Sequence, residues 1–212
     1  MNNKMRIYTV GHSTISSALF LDIIKKFGIS CVVDVRSTPF SRYAPQYNKD
    51  EIMHFLRNND IQYVFMGDEF GARRDDRTLY SSFGYLDFER TRNSKLFLQG
   101  IERIKKGLEN GFTIALMCTE KRAIDCHRSI LIGKGLADNG FEVLHIDHEY
   151  KTMTQSELEK VLLRAYFSEV NMFADQLGEP LSQEEMVEEA YRRKNKEIGF
   201  IGYEEKEVAR KL

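Results

Sequence analysis

The sequence predicts an α/β fold: a mainly parallel open sheet of about five strands, helices on both faces, and a helical appendage at the C-terminus. Three observations carry that expectation. Short apolar runs recur along the chain, most without the strict alternation of a half-exposed strand, as befits strands covered on both faces. Amphipathic stretches with helical spacing separate them. Gly28, Gly111 and Gly140 each follow a helix-like stretch and precede a strand-like one, the place of a helix-ending residue in the left-handed conformation. Helix, glycine and strand repeated in that order is the rhythm of βαβ units.

The first run, Arg6–Val10, leads into Ser17–Phe27, where Phe20, Ile23, Ile24 and Phe27 share a helical face. The second, Cys31–Val35, precedes a helix over Asp50–Asn58 with Ile52, Phe55 and Leu56 inward; Asn48 and Glu51 have the spacing of a capping box. After the third run, Tyr63–Met66, periodicity fails over residues 67–93. Aromatics from Phe70 to Phe88 favour a packed loop or short helices there over disorder. Lys95–Glu109 carries Phe97, Leu98, Ile101, Ile104 and Leu108 at helical spacing, and the fourth run is Thr113–Cys118. A helix over Ser129–Asp138, carrying Ile130, Leu131 and Leu136, precedes the fifth run, Val143–Ile146. After Tyr150 the strand-like runs stop. Gln155–Phe167 reads as an amphipathic helix, Gly178, Pro180 and Ser182 as a break. Ser182 with Glu185 opens a charged helix near Gln183–Glu197, whose charge run is most simply a solvated face. The expected organisation is an α/β domain over 1–150 and a helical extension over 151–212.

With 212 residues, 42% of them apolar and 30% charged, the chain has the composition of a globular protein with a substantial core. Its formal net charge of -1 excludes a polycation, so anion binding must come from a local patch. Three cysteines, an odd number, argue against a disulfide framework and for a reducing compartment. The N-terminal residues lack a signal-peptide pattern, and no apolar run approaches the roughly 18 residues of a bilayer crossing. A cytoplasmic protein without a membrane partner is expected.

In an open parallel sheet, ligands bind beyond the carboxyl ends of the strands. The residues that follow each run are Gly11, His12 and Ser13; Asp34, Arg36 and Arg42; Gly67, Asp68, Glu69, Gly71, Arg73 and Arg74; Cys118, Glu120, Arg122, Cys126, His127 and Arg128; and Asp147 and His148. The arginines offer forked donors suited to phosphate or carboxylate, although several could instead pair with Asp34, Asp68, Glu69 and Glu120. Cys126, at or before a helix start beside His127 and Arg128, is placed for a depressed pKa and nucleophilic chemistry. Cys118 serves equally well as a buried residue ending a core strand. The loop loosely resembles that of cysteine phosphatases but lacks the glycines that wrap a phosphate. Cys118, Cys126 and His127, with His12 or His148, form a metal alternative; their spacing is not that of a zinc finger, and no metal ligand is assigned. A reversible Cys118–Cys126 disulfide has no CxxC signal behind it. Gly11 before His12 allows close backbone approach to a ligand, and Asp34 or Glu120 is either a general base or an arginine's partner.

Four motifs in order, TVGHST, DVRSTPFSR, YVFMGDEFGARR and ALMCTEKRAIDCHRSIL, resemble the family catalogued as domain of unknown function 488, over roughly residues 5–150. The family's motif residues fall on Gly11-His12-Ser13, Asp34-Val35-Arg36, Gly67 with Phe70-Gly71 and Arg73, and Cys118, Glu120 and Cys126-His127-Arg128. A paired glycine of the family is Phe70-Gly71 here. The resemblance implies a compact α/β domain with a shared polar cluster and supplies no reaction.

The leading expectation is an enzyme whose strand-end pocket takes a phosphorylated ligand, a nucleotide or a nucleic-acid end. Arg36, Arg42, Arg73 and Arg128 would hold the anion with Ser13 and His127. His12, Asp34 or Glu120 would move protons, and Cys118 or Cys126 would act as a thiol. The alternatives are a non-catalytic nucleic-acid or nucleotide binding module, in which Tyr80, Phe83, Tyr85 and Phe88 stack bases, and a metal or redox Cys-His site. No cofactor is named by the residues, and the C-terminal helices are a candidate homodimer surface.

Overall fold

A computed structural model describes residues 5–167 and 181–202; the break expected at Gly178 and Pro180 lies outside them. The strands are β1 (Arg6–Gly11), β2 (Cys31–Asp34), β3 (Gln62–Phe65), β4 (Ile114–Cys118), β5 (Glu142–Ile146) and β6 (Thr152–Thr154). They form one sheet in the order β3-β2-β4-β1-β5-β6. All pairings among β1 to β5 are parallel, and β6 joins β5 antiparallel. The helices are α1 (Ser17–Lys26), α2 (Lys49–Arg57), α3 (Gly67–Phe70), α4 (Phe88–Arg92), α5 (Lys95–Glu109), α6 (Lys134–Asp138), α7 (Gln155–Tyr166) and α8 (Gln183–Ile198). Gly28, Gly111 and Gly140 have φ of 62°, 86° and 85°, in keeping with their helix-ending role.

Three local expectations are corrected. The Asn48–Glu51 capping box does not form, because Asn48 Oδ1 instead accepts from the Ser41 N–H (2.7 Å) and ties down the loop before α2. Strand structure continues past Tyr150 as β6, an edge strand too short to register as an apolar run. The helix expected from Ser129 begins as a π-helical segment, Arg128–Gly133, and becomes α-helical at Lys134. The aperiodic stretch 67–93 does contain short helices, α3 and α4, with a 3₁₀ turn at Arg77–Leu79.

The sheet is covered on both faces, and side chains alternate between two apolar clusters as the pleat requires. Along β4, Ile114, Leu116 and Cys118 enter one cluster, while Ala115 and Met117 enter the other. The first cluster takes Phe97, Ile101 and Ile104 from α5, Ile130 to Leu136 from the π/α6 segment, Leu158 and Leu162 from α7, and Ala190 and Tyr191 from α8. The second takes Phe20, Ile23 and Ile24 from α1, and Ile52 and Leu56 from α2. The connections that leave β1 and β2 therefore cover one face, whereas those flanking β4 cover the opposite face. β4 lies between β1 and β2, so chains diverge on either side of its carboxyl end. Such a divergence opens the crevice in which open α/β sheets bind ligands. Among the described residues, no helix is long and apolar enough to cross a membrane.

Candidate functional site

β4 delivers Cys118 to that divergence, and its main chain is anchored there by the His12 N–H, which donates to the Cys118 carbonyl (2.8 Å). The chain turns through Thr119–Arg122, makes a 3₁₀ turn at Ala123–Asp125, and returns Cys126 and His127 at the mouth of the π-helical segment. Ser129 Oγ donates to the Cys126 carbonyl (3.0 Å) and also to that of Ala123, closing the return. Cys118 and Cys126 are 2% and 1% exposed, whereas Glu120 is an exposed residue whose carboxylate folds inward.

The result is a cluster of four donors. Glu120 Oε2 lies 3.1 Å from Cys118 Sγ and 2.8 Å from Cys126 Sγ. His127 Nδ1 lies 3.6 Å and 4.0 Å from the same two sulfurs. The four ligand atoms all fall within 4.8 Å of one another. His127 Nε2 is 3.2 Å from the Val35 carbonyl, which can only accept; Nε2 therefore carries a proton, and Nδ1 faces the two sulfurs. The Arg128 N–H donates to Cys126 Sγ (3.4 Å).

Electrostatics divide the two thiols. Burial pushes Cys118 well above the usual thiol range, and its neighbours Cys126 and Glu120 add to the effect. Burial acts in the same sense on Cys126. There the contact with Cys118, the Arg128 charge and His127 outweigh it, and Cys126 falls well below the ordinary value. Of the two, Cys126 is the more readily deprotonated. Burial and the nearby Cys126 raise Glu120, while His127 is raised by Cys126 and Glu120 against the effect of its burial.

A second polar cluster lies on the other face. Asp34 and Arg36 form a buried fork, Nε to Oδ1 at 2.9 Å and Nη2 to Oδ2 at 2.6 Å. Asp34 also accepts from the Arg36 N–H and from Tyr63 OH (2.8 Å). Arg36 Nη2 donates to the Tyr47 carbonyl (2.8 Å) and Nη1 to His12 Nε2 (3.1 Å). His12 gives its Nδ1 proton to the Ser13 carbonyl (2.8 Å) and stacks on Tyr47 at 4.0 Å. Burial, then the charge of Arg36, lowers its pKa to about 4, so the ring is neutral.

The residues expected at one rim thus fall into two clusters divided by the pleat. Cys118, Glu120, Cys126 and His127 meet in one; His12, Asp34 and Arg36 close on themselves in the other. Of the two roles open to Asp34, its contacts are those of the arginine's partner. The guanidiniums of Arg36 and Arg128 are each engaged by this chain's own groups, that of Arg36 by Asp34, His12 and the Tyr47 carbonyl. That of Arg128, fully buried, goes to the main-chain carbonyls of Glu120 and Lys121 (3.1 Å for the latter), and its Nε has no hydrogen-bond partner among the described residues. Arg42 and Arg73 are exposed, and Arg73 lies over the Phe200 ring at 4.7 Å. Ser13 stands at a φ of 47° with its N–H on the Thr119 carbonyl (2.7 Å). Gly11 permits a close backbone approach, but to this chain: a Cβ there would lie 1.8 Å from the Glu120 carbonyl oxygen and 2.8 Å from Arg128 Nη1.

The metal alternative drawn from the residues included His12 or His148 and omitted Glu120. His12 stands apart, and His148 Nε2 bonds the Gly11 carbonyl (2.6 Å). Glu120 carried a signal all the same: it stands two residues beyond a strand-end cysteine. Residues 17–134, more than half of the chain, match the family model described as Domain of unknown function DUF488. No curated protein and no solved structure matches the chain.

Proposed function

The chain belongs to the DUF488 family, and from this membership and the site's geometry we propose that it carries a divalent transition-metal centre of the zinc type, bound by Cys118, Glu120, Cys126 and His127. The observation that carries this reading is the convergence of four ligand atoms within 4.8 Å at the end of β4. A tetrahedral ion with bonds of roughly 2.0–2.3 Å sets its ligands roughly 3.3–3.8 Å apart. The contacts of 2.8, 3.1, 3.6 and 4.0 Å bracket that spacing. Thiolate and imidazole select zinc-like ions over magnesium or calcium. A backbone carbonyl behind the ligating histidine is the outer-shell partner that orients such a ring.

The test is elemental analysis of protein purified without chelators. One zinc-like ion per chain is expected in the wild type, with near-complete loss in Cys118→Ser and Cys126→Ser. Metal-free protein from zinc-supplemented cells that also fails to take up added zinc rules the centre out. The depressed Cys126 favours a second reading, a metal-free thiolate nucleophile acting on a phosphorylated substrate. That reading expects Cys126 to react with iodoacetamide below pH 7 whether or not zinc is added. Under the metal reading, zinc protects it.

A further inference from the structure

Resting on the metal-centre reading, we propose that Glu120 holds an exchangeable coordination position, and that the ligand which replaces it is an oxyanion. The other three donors are fixed. Cys118 belongs to a central strand, Cys126 is held through Ser129 Oγ and the Arg128 N–H, and the His127 ring is pinned by the Val35 carbonyl. Glu120 differs on each count. It is the exposed member of the set, it lies in the loop beyond β4, and its carboxylate hydrogen bonds go to the two cluster sulfurs. Once an ion claims those sulfurs, no other hydrogen bond from the described residues holds the carboxylate in place.

Its main chain, by contrast, is clamped. Arg128 Nη1 donates to the Glu120 carbonyl, and that oxygen sits in the space left by the missing Gly11 Cβ. Exchange therefore needs a side-chain rotation and no loop movement: one carboxylate–metal bond breaks and one oxyanion–metal bond forms. Charge favours the incoming anion. Two thiolates and a divalent ion sum to zero, and Arg128 beside them is fully buried with its guanidinium on the main-chain carbonyls of Glu120 and Lys121. With Glu120 swung out, the pocket holds one uncompensated positive charge in a poorly screened setting. Lys121 stands exposed next to it.

The test uses the full chain loaded with Co²⁺, whose visible bands report the coordination sphere, and inorganic phosphate as the probe. Wild type and Glu120→Gln are both expected to hold one ion with its sulfur-to-metal band, and Cys118→Ser to lose it. Phosphate is expected to shift the visible bands saturably in both ion-holding forms, at about tenfold lower concentration in Glu120→Gln, where the competing carboxylate is gone. Three results overturn the inference: loss of the ion from Glu120→Gln as from Cys118→Ser, bands indifferent to phosphate in both forms, or release of the ion by phosphate. Wild type that takes up no Co²⁺ fails earlier, before phosphate is added, and overturns the metal centre itself.

Discussion

Gly11 shows how much of the site depends on one missing carbon. An alanine there places its Cβ against a backbone carbonyl, which cannot rotate away as a side chain would, and against the buried Arg128. Gly11→Ala should lower stability by about 1–3 kcal/mol, in the range of overpacked cores, and should weaken Co²⁺ uptake because the loop that joins Cys118 to Cys126 must shift. Urea unfolding in chelator and Co²⁺ titration measure the two effects separately. The fork of Asp34 and Arg36 allows a matching test on the other face. Asp34→Ala strands a buried guanidinium and should cost about 3–5 kcal/mol, whereas Asp34→Leu combined with Arg36→Met should recover much of that loss. Single residues were readable from the sequence in kind but not in grouping. His12, Asp34 and Cys118 all follow strands, yet whether they meet depends on which face each strand presents. Glu120 lacked a metal-ligand spacing until the return of Cys126 and His127 supplied it.

Elements made by apolar periodicity were readable in the order in which they occur; elements defined by their ends were not. α5 runs over Lys95–Glu109 as the spacing of its buried residues requires. Asn48 has the residue type of a cap, but its side chain has a better-placed donor in the Ser41 N–H, and local pattern carries no trace of that competition. The π-helical turn is of the same kind. It begins at Arg128, where the carbonyls of Glu120 and Lys121 hold the guanidinium, and such turns recur at functional sites. Thr154 presents the opposite case, a capping box that forms in full with Glu157 and starts α7 directly from β6. Thr154→Ala should cost about 1 kcal/mol. The loss should be visible in urea unfolding, with Co²⁺ affinity unchanged because α7 contributes no donor.

At the scale of the whole molecule, the succession of βαβ units was readable, but the sheet order was not, since it depends on where each connection crosses. The order set by β3-β2-β4-β1-β5-β6 buries one neutral histidine on each face. His12 stacks on Tyr47 on the α1 side. On the other side His145 accepts from Thr9 OH (2.8 Å) and donates to Gln155 Oε1 (2.8 Å), and Gln155 in turn donates to Tyr191 OH (2.7 Å) of α8. Burial lowers both histidines to about 4 from an ordinary value of 6.5. Between those pH values the unfolded chain takes up protons that the folded chain refuses, so acid favours unfolding. The stability that both neutral rings contribute is complete above about pH 6.5 and is lost as pH falls toward 4, by up to about 3 kcal/mol for each ring. His145→Gln should be less stable than wild type at pH 7.5 by about 1–2 kcal/mol, from imperfect replacement of its hydrogen bonds. It should also show a shallower slope of stability against pH across that window than the wild type, because one of the two depressed histidines is gone. Urea unfolding in chelator from pH 7.5 to 4 reads both quantities on metal-free protein. An unchanged slope in the variant would show that His145 binds its proton equally well in the folded and unfolded chains, so that burial does not hold its ring neutral.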